Sequence, residues 1–228
     1  MNLRRGENSS YQSESGFKEM AGKPIEVYSF FSGAGFFDLG FEEAGFDIVF
    51  VNEFNKQFLN VYQYARRNNE KLPQYGYSNE DIRNFLSDEN WYSRFPRYND
   101  RANKLIGFIG GPPCPDFSVA GKNEGETGVN GQLTSVYVDL IVCREPDFFV
   151  FENVKGLWRT KKHKEFYDKM YNKMKKQGYY LLDKLLNSLE YGVPQERERV
   201  IMIGIKVRNQ KDKDQLKDIV KNFNWGIG

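Results

Sequence analysis

Ile25-Glu26-Val27-Tyr28-Ser29-Phe30-Phe31-Ser32-Gly33-Ala34-Gly35, followed after Gly45 by Ile48-Val49-Phe50-Val51-Asn52-Glu53, is the stretch that decides the fold. A β-prone apolar run closes on a glycine-rich turn, and a helical pattern follows from about Phe37 to Ala44. Gly45 ends that helix, and a second apolar run stops at Asn52-Glu53. Strand, glycine turn, helix, strand is a βαβ unit, so its two strands should lie parallel. The alternation continues outward. Lys56 to Arg67 looks helical, and Leu105 to Ile109 is a strand running into Gly110-Gly111-Pro112-Pro113-Cys114-Pro115. Leu140 to Cys143 belongs to a helix, and Asp147 to Phe151 is a strand ending at Glu152-Asn153. Glu165 to Lys176 is a lysine-rich helix, while Tyr179 to Leu186 and Val200 to Ile205 are strands flanking the polar segment Gln195 to Arg199. The expected architecture is a doubly wound, mostly parallel α/β sheet.

Other stretches carry less. Arg66 to Asn103 is polar, aromatic and weakly periodic, and suggests only a strand end at Asp81-Ile82. Lys206 to Asn222 alternates in charge and reads as a solvated helix or a linker. Residues 1–23 are polar and read as a disordered tail. The domain reading is therefore tail 1–23, one main domain 24–206, and a terminal segment 207–228.

At 228 residues the chain can build one good core or slightly more. No run approaches the roughly 18 apolar residues of a membrane span, and no secretory signal opens the chain. A cytoplasmic protein with no membrane partner is expected. A net charge of +2 does not argue for nucleic acid by itself, although the 33 Lys and Arg can still cluster on one face. The 19 Phe and 14 Tyr read mostly as core. No metal site is expected. His163, among lysines, reads as a surface residue, and Lys161 to Lys176 as a solvated face in preference to a phosphate-binding one. Of the two cysteines, Cys143 lies in an apolar run and reads as a buried small hydrophobe. Cys114 stands between prolines, where neither a helix nor a central strand continues, and is a nucleophile candidate.

In an open α/β sheet, ligands bind outside the carboxyl ends of the strands, and here those ends carry unusual residues. The first delivers Phe31-Ser32-Gly33-Ala34-Gly35, whose glycines let backbone approach a ligand. The second delivers Glu53, able to accept two ribose hydroxyls, and Phe54, a flat surface for a base. A carboxylate there repels a 2′-phosphate and favours an adenosine-type ligand. The third carries Cys114, whose thiolate is the attacking form. The fourth carries Glu152. Arg197 and Arg199 share one face if Gln195 to Arg199 is extended. Taken singly, each feature also has an ordinary structural explanation: a turn, a cap or a salt-bridged surface.

Together, and in this order, they resemble the cytosine-C5 DNA methyltransferase family over roughly residues 25 to 205. Phe31-Ser32-Gly33-Ala34-Gly35 resembles the S-adenosylmethionine loop, Glu53-Phe54 the acid-aromatic pair, and Asp81-Ile82 the adenine-contacting pair. Gly111-Pro112-Pro113-Cys114-Pro115-Asp116-Phe117-Ser118 resembles the nucleophile loop, with Pro112 toward cofactor and Pro113, Phe117 and Ser118 toward substrate. Phe151-Glu152-Asn153-Val154 resembles the base-holding segment, with Asn153 beside the substrate. Gln195-Glu196-Arg197-Glu198-Arg199 resembles the late arginine motif, with Gln195 a substrate contact. The resemblance implies a Rossmann-like methyltransferase fold, S-adenosylmethionine as cofactor with S-adenosylhomocysteine as product, double-stranded DNA as substrate, and a restriction-modification setting. It further implies that Cys114 attacks C6 of a flipped-out cytosine, that Glu152 holds and helps protonate N3, and that Arg199, with Arg197 near it, holds the O2 edge or a phosphate.

The sequence departs from the family pattern in places. Phe36 follows Gly35 where a further glycine is usual, Ser29-Phe30 replaces an acid, and Pro115 replaces a Gln and removes a backbone amide. A usual Arg-Gly motif is only echoed over Leu133 to Asp139, where Ser135 is the expected cofactor contact. The family's target-recognition domain and final helix find no room in 228 residues. A truncated chain, a split enzyme with a partner chain carrying those parts, and a remnant are the readings that follow. The functional alternatives are a tRNA cytosine-C5 methyltransferase, a non-catalytic subunit binding cofactor or DNA, and a nicotinamide dehydrogenase, which leaves Pro113-Cys114 unexplained.

Overall fold

The computed structural model describes residues 22–69, 71–113, 129–159 and 161–226. Residues 1–21 of the expected tail, and Cys114 with Pro115, Phe117 and Ser118, lie outside the described residues.

Among the described residues, seven strands form one sheet in the order β3-β2-β1-β4-β5-β7-β6. At its centre β1 (Ile25–Phe30) pairs in parallel with β2 (Asp47–Asn52) on one side and β4 (Leu105–Gly110) on the other. The two-residue β3 (Tyr77–Ser78) continues beyond β2, and β5 (Phe148–Val154) lies parallel to β4. β7 (Glu198–Lys206) runs antiparallel to both β5 and β6 (Tyr179–Asn187), so it alone among the described strands points the other way. The mostly parallel, doubly wound sheet is therefore as expected.

Burial follows this placement. β1, β2 and β4 are buried at five consecutive positions each, as strands covered on both faces must be, and so they read as unbroken apolar runs. Helices α1 (Phe36–Glu43) and α2 (Lys56–Ala65) follow β1 and β2, and from α2 Leu59 and Tyr62 pack with Val27, Ile48 and Val51. The larger core occupies the opposite face. There Tyr28, Phe108 and Phe149 meet Tyr137 and Ile141 of α5 (Val129–Arg144). Further along come α6 (Lys155–Arg159) and α7 (Lys161–Lys176).

The weakly periodic stretch before β4 folds into α3 (Ile82–Leu86), α4 (Trp91–Arg94) and a 3-10 turn (Pro96–Asn99). Its aromatic residues hold it in place. Trp91 packs on Phe95 at 4.5 Å between ring centroids, and Tyr28 meets Phe95 and Tyr98 edge-on at 5.2 and 5.5 Å. Periodicity could not reveal these elements, because each is one turn or little more.

Three local expectations change. Asp81-Ile82 is no strand end: Asp81 caps α3, its carboxylate accepting a 2.9 Å bond from the Arg83 amide. Cys143 is exposed, because α5 buries Thr134, Tyr137, Val138 and Ile141 and turns position 143 to the opposite side. His163 is buried, on the same inner stripe of α7 as Phe166, Tyr167, Met170 and Met174, while Lys164, Lys169, Lys173, Lys175 and Lys176 take the outer face. Within the charged terminal segment, Gln210–Lys221 form α8, which docks through the buried Leu216. No described helix is long and apolar enough to cross a membrane.

Two glycines make room for aromatic rings across the sheet. A Cβ at Gly107 would lie 2.1 Å from the ring of Phe148, its neighbour on β5, and one at Gly204 only 2.0 Å from the ring of Phe149. Gly204→Ala is expected to destabilise the chain by about 1–3 kcal/mol through overpacking. Urea unfolding checks this, and an unchanged midpoint would show that the Phe149 ring moves freely.

Candidate active site

Strand order reverses between β1 and β4, so the chain leaves these neighbours toward opposite flanks and opens a cleft at their carboxyl ends. The cleft holds about 450 Å³ and draws its walls from five segments. Phe31 and Gly33 come from the turn after β1, and Glu53, Phe54 and Phe58 from the end of β2 and the start of α2. Asp81, Ile82 and Arg83 open α3, and Gly111, Pro113 and Leu133 close the far side. A carboxylate, several exposed aromatic carbons and close glycine backbone suit an adenosyl ligand of ordinary pocket size.

The turn after β1 is tightly determined. Phe31, Gly33 and Gly35 all have positive φ, of 53°, 57° and 88°. A Cβ at Gly35 would stand 2.5 Å from both the Tyr62 ring and the Arg66 guanidinium, so only glycine fits there. Arg66 donates to the Gly35 carbonyl at 2.9 Å and pairs with Glu42 at 3.0 Å. Glu53 spans the cleft floor, one oxygen accepting from the Gly33 amide at 2.8 Å and the other from the Asn55 amide at 2.7 Å. The Ser32 hydroxyl is buried beside this turn with no hydrogen-bond partner among the described residues, as a group awaiting a ligand or water would be.

A second cluster lies on β5 and β7. Glu152 is paired in register with Ile201, two residues beyond Arg199. Its carboxylate meets Arg199 Nε at 3.0 Å and stands 4.0 Å from Arg197. Burial pushes the Glu152 carboxyl above the usual range, against the opposing pull of Arg199 and then Arg197. Burial, and then Arg197, lowers the pKa of Arg199 in turn. The cluster touches the segment after β4. A Cβ at Gly111 would lie 2.9 Å from a Glu152 oxygen, so glycine is what lets backbone pass so near the carboxylate. The buried Asn153 donates to the Pro112 carbonyl at 3.3 Å, while its own oxygen accepts from the Val154 amide at 2.8 Å. The segment Gly111–Pro113 thus lines the cleft on one side and borders the carboxylate–arginine cluster on the other.

The family model for C-5 cytosine-specific DNA methylases matches residues 25–225. The chain belongs to this family. It is similar to the type II methyltransferase M.NmeDI of Neisseria meningitidis serogroup C, with 48% identity over 89% of this chain and 47% of that protein. It is also similar to M.FnuDI of Fusobacterium nucleatum, with 37% identity over 80% of this chain and 47% of that protein. The chain spans about half the length of these curated relatives. Among solved structures, a DNA modification methyltransferase encoded within an E. coli prophage matches with a TM-score of 0.63 and 29% identity, over 85% of this chain and 48% of that one. A Spodoptera frugiperda DNMT2, at 20% identity and a TM-score of 0.56, shares the fold, over 80% of this chain and 50% of that one.

Of the residues that carried the methylase resemblance, Phe31, Gly33, Glu53, Phe54, Asp81, Ile82 and Pro113 line one cleft. Ser32, Ala34 and Gly35 complete the turn behind it. Glu152, Arg197 and Arg199 form the second cluster. Pro113 lines the cleft, while Pro112 is buried, its carbonyl accepting from Asn153. Ser135 does not line the cleft; Leu133 does, about 200° around α5. Gln195 sits exposed in the loop before β7, its carbonyl accepting from the Ser188 hydroxyl at 2.6 Å. Sequence reading missed Asn52 and Asn79, which clip the end of β2 to the loop after β3. Asn52 donates to the Glu80 carbonyl at 2.9 Å, and Asn79 donates to the Phe54 carbonyl at 2.6 Å. Only the polar Asn52 at the end of an apolar strand hinted at this. With Arg199→Met, Glu152 loses its nearest cation and should titrate at still higher pH; carbon-13 carboxyl NMR reads this, and an unmoved titration contradicts the pairing.

Proposed function

We propose that this chain is the catalytic and cofactor-binding part of a cytosine-C5 DNA methyltransferase, acting on double-stranded DNA in a bacterial restriction-modification setting and in the cytoplasm. One observation carries the reading: Gly111–Pro113 is shared by the cleft and by the Glu152–Arg199 cluster, and Cys114 is the next residue in the chain. A nucleophile, a raised carboxyl and a cofactor cleft belong together in this chemistry. The type II methyltransferase names of its relatives support the same reading.

Cytosine C5 is a poor nucleophile. Addition of the Cys114 thiolate at C6 breaks the 5,6 double bond and moves its electrons toward C5 and N3. Glu152 meets N3 and helps protonate it, which the raised carboxyl favours. Arg199 keeps that carboxylate oriented and, with Arg197, faces the O2 edge or a phosphate. S-adenosylmethionine, when bound, supplies the methyl group. Glu53 would hold the ribose hydroxyls, Phe54 and Ile82 would flank the adenine, and Asp81 would meet its exocyclic amine. Loss of the C5 proton then expels Cys114 and restores the ring. The base must leave the duplex to reach these groups, as methyltransferases that act on bases require.

We take residues 24–206 as the catalytic unit. Target recognition is expected from sequence outside these 228 residues, in the same protein or in a partner chain. Duplex DNA carrying 5-fluorocytosine, with S-adenosylmethionine and the complete enzyme or partner, should trap a covalent complex through Cys114. Cys114→Ser should abolish the trap, detected as a mass shift; a trap that persists in this variant overturns the nucleophile, and a trap on tRNA but not DNA overturns the substrate class.

A further inference from the structure

Asp38, in the first turn of α1, is fully buried. It bonds neither Arg66, which pairs with Glu42, nor any other cation among the described residues. Its two oxygens instead accept from the Ser29 hydroxyl at 2.7 Å and the Tyr62 hydroxyl at 2.9 Å. Ser29 is the next-to-last residue of β1, just before the glycine turn, and the Tyr62 ring packs against Gly35 from α2. The same ring carries the Arg66 guanidinium 4.0 Å above its centroid, and Arg66 holds the Gly35 carbonyl. One carboxylate therefore joins the strand before the turn to Tyr62, whose ring, with Arg66 stacked on it, clamps the turn from behind.

We infer that Asp38 is a positioning residue for the cofactor turn, and that its ionised carboxylate, by holding Ser29 and Tyr62 together, keeps Gly33 to Gly35 in the conformation that binds cofactor. This rests on the reading of the cleft as the S-adenosylmethionine site. The chemistry of the pair is directional. An ionised carboxylate accepts both hydroxyl protons, whereas a protonated one donates from one oxygen, so one hydroxyl must give up the bond it donates. Burial pushes the Asp38 carboxyl up to about 6, outweighing the Ser29 and Tyr62 bonds and the attraction of Arg66, with Glu42 adding to the rise. Tyr137 of α5 is the further titratable group that senses this charge. Since the raised value makes the ionised form costly in the folded state, the stability linked to Asp38 falls as pH rises through 6. A carboxylate kept at that cost serves the turn's geometry better than it serves the fold.

Calorimetric titration with S-adenosylhomocysteine between pH 8 and pH 5 tests this on the full chain. Wild-type affinity should fall about tenfold by pH 5, following the ionised fraction. Asp38→Asn should bind more weakly than wild type at pH 8 and show a flat profile. Ser29→Ala, which removes a bond favouring the ionised form, should move the midpoint to higher pH, as should Tyr62→Phe. Glu152 is unchanged in all these variants, so its own titration cancels. A slope in Asp38→Asn equal to that of wild type, or unmoved midpoints in Ser29→Ala and Tyr62→Phe, overturns the inference. Should Asp38→Asn fail to fold, the two midpoints decide alone. No heat from wild type at any pH removes the cofactor reading and this inference with it; binding without the pH contrast removes the inference only.

Discussion

The reversal of strand order between β1 and β4 is the constraint on which the site depends. Two parallel neighbours whose chains leave in opposite directions cannot both cover the gap above their carboxyl ends. The glycine turn after β1 and the Gly111–Pro113 segment after β4 therefore face each other across open space. Each is fixed from behind by the next strand outward. Glu53, just after β2, accepts from the Gly33 amide, and Asn153 on β5 donates to the Pro112 carbonyl. The cleft is thus braced on both sides by residues one strand away from it, and small shifts in sheet packing reach it directly.

The two halves of the molecule show different balances of energy. Below the sheet centre, rings pack edge to face, with Arg101 over Tyr98 at 4.8 Å and Arg144 over Trp91 at 4.6 Å, and the buried Glu26–Lys104 pair at 2.7 Å, with Arg97 at 3.2 Å, answers its own desolvation. At the carboxyl ends, Asp38 and Glu152 are carboxyls that burial raises and that nearby donors only partly compensate. Raised carboxyls near a cleft mark places where function sets the residue at the expense of stability.

Much of this was legible before the structure. β1, β2, β4 and β5 are long apolar runs closed by glycine or a polar pair, and their order implied the sheet. Arg197 and Arg199, two apart, reach one carboxylate as extended spacing requires. What escaped has physical reasons. The elements between Arg66 and Asn103 are too short to show a period and are held by aromatic contacts distant in sequence, such as Tyr28 with Phe95. His163 looked exposed because its neighbours are lysines, yet three or four residues of helical turn place it with Met170 and Phe166. Asp38 gave no sign at all, since a strand–helix contact through Ser29 cannot be read from either segment alone.

The central claim is that the cleft and the carboxylate–arginine cluster are two sides of one reaction centre joined at Gly111–Pro113. A crystal structure of the complex with S-adenosylhomocysteine and duplex DNA containing 5-fluorocytosine measures this most directly. The account predicts the nucleoside between Glu53, Phe54 and Asp81, and the extruded base bonded to Cys114 with N3 at Glu152. A nucleoside bound elsewhere, or a base held away from Glu152, would contradict it.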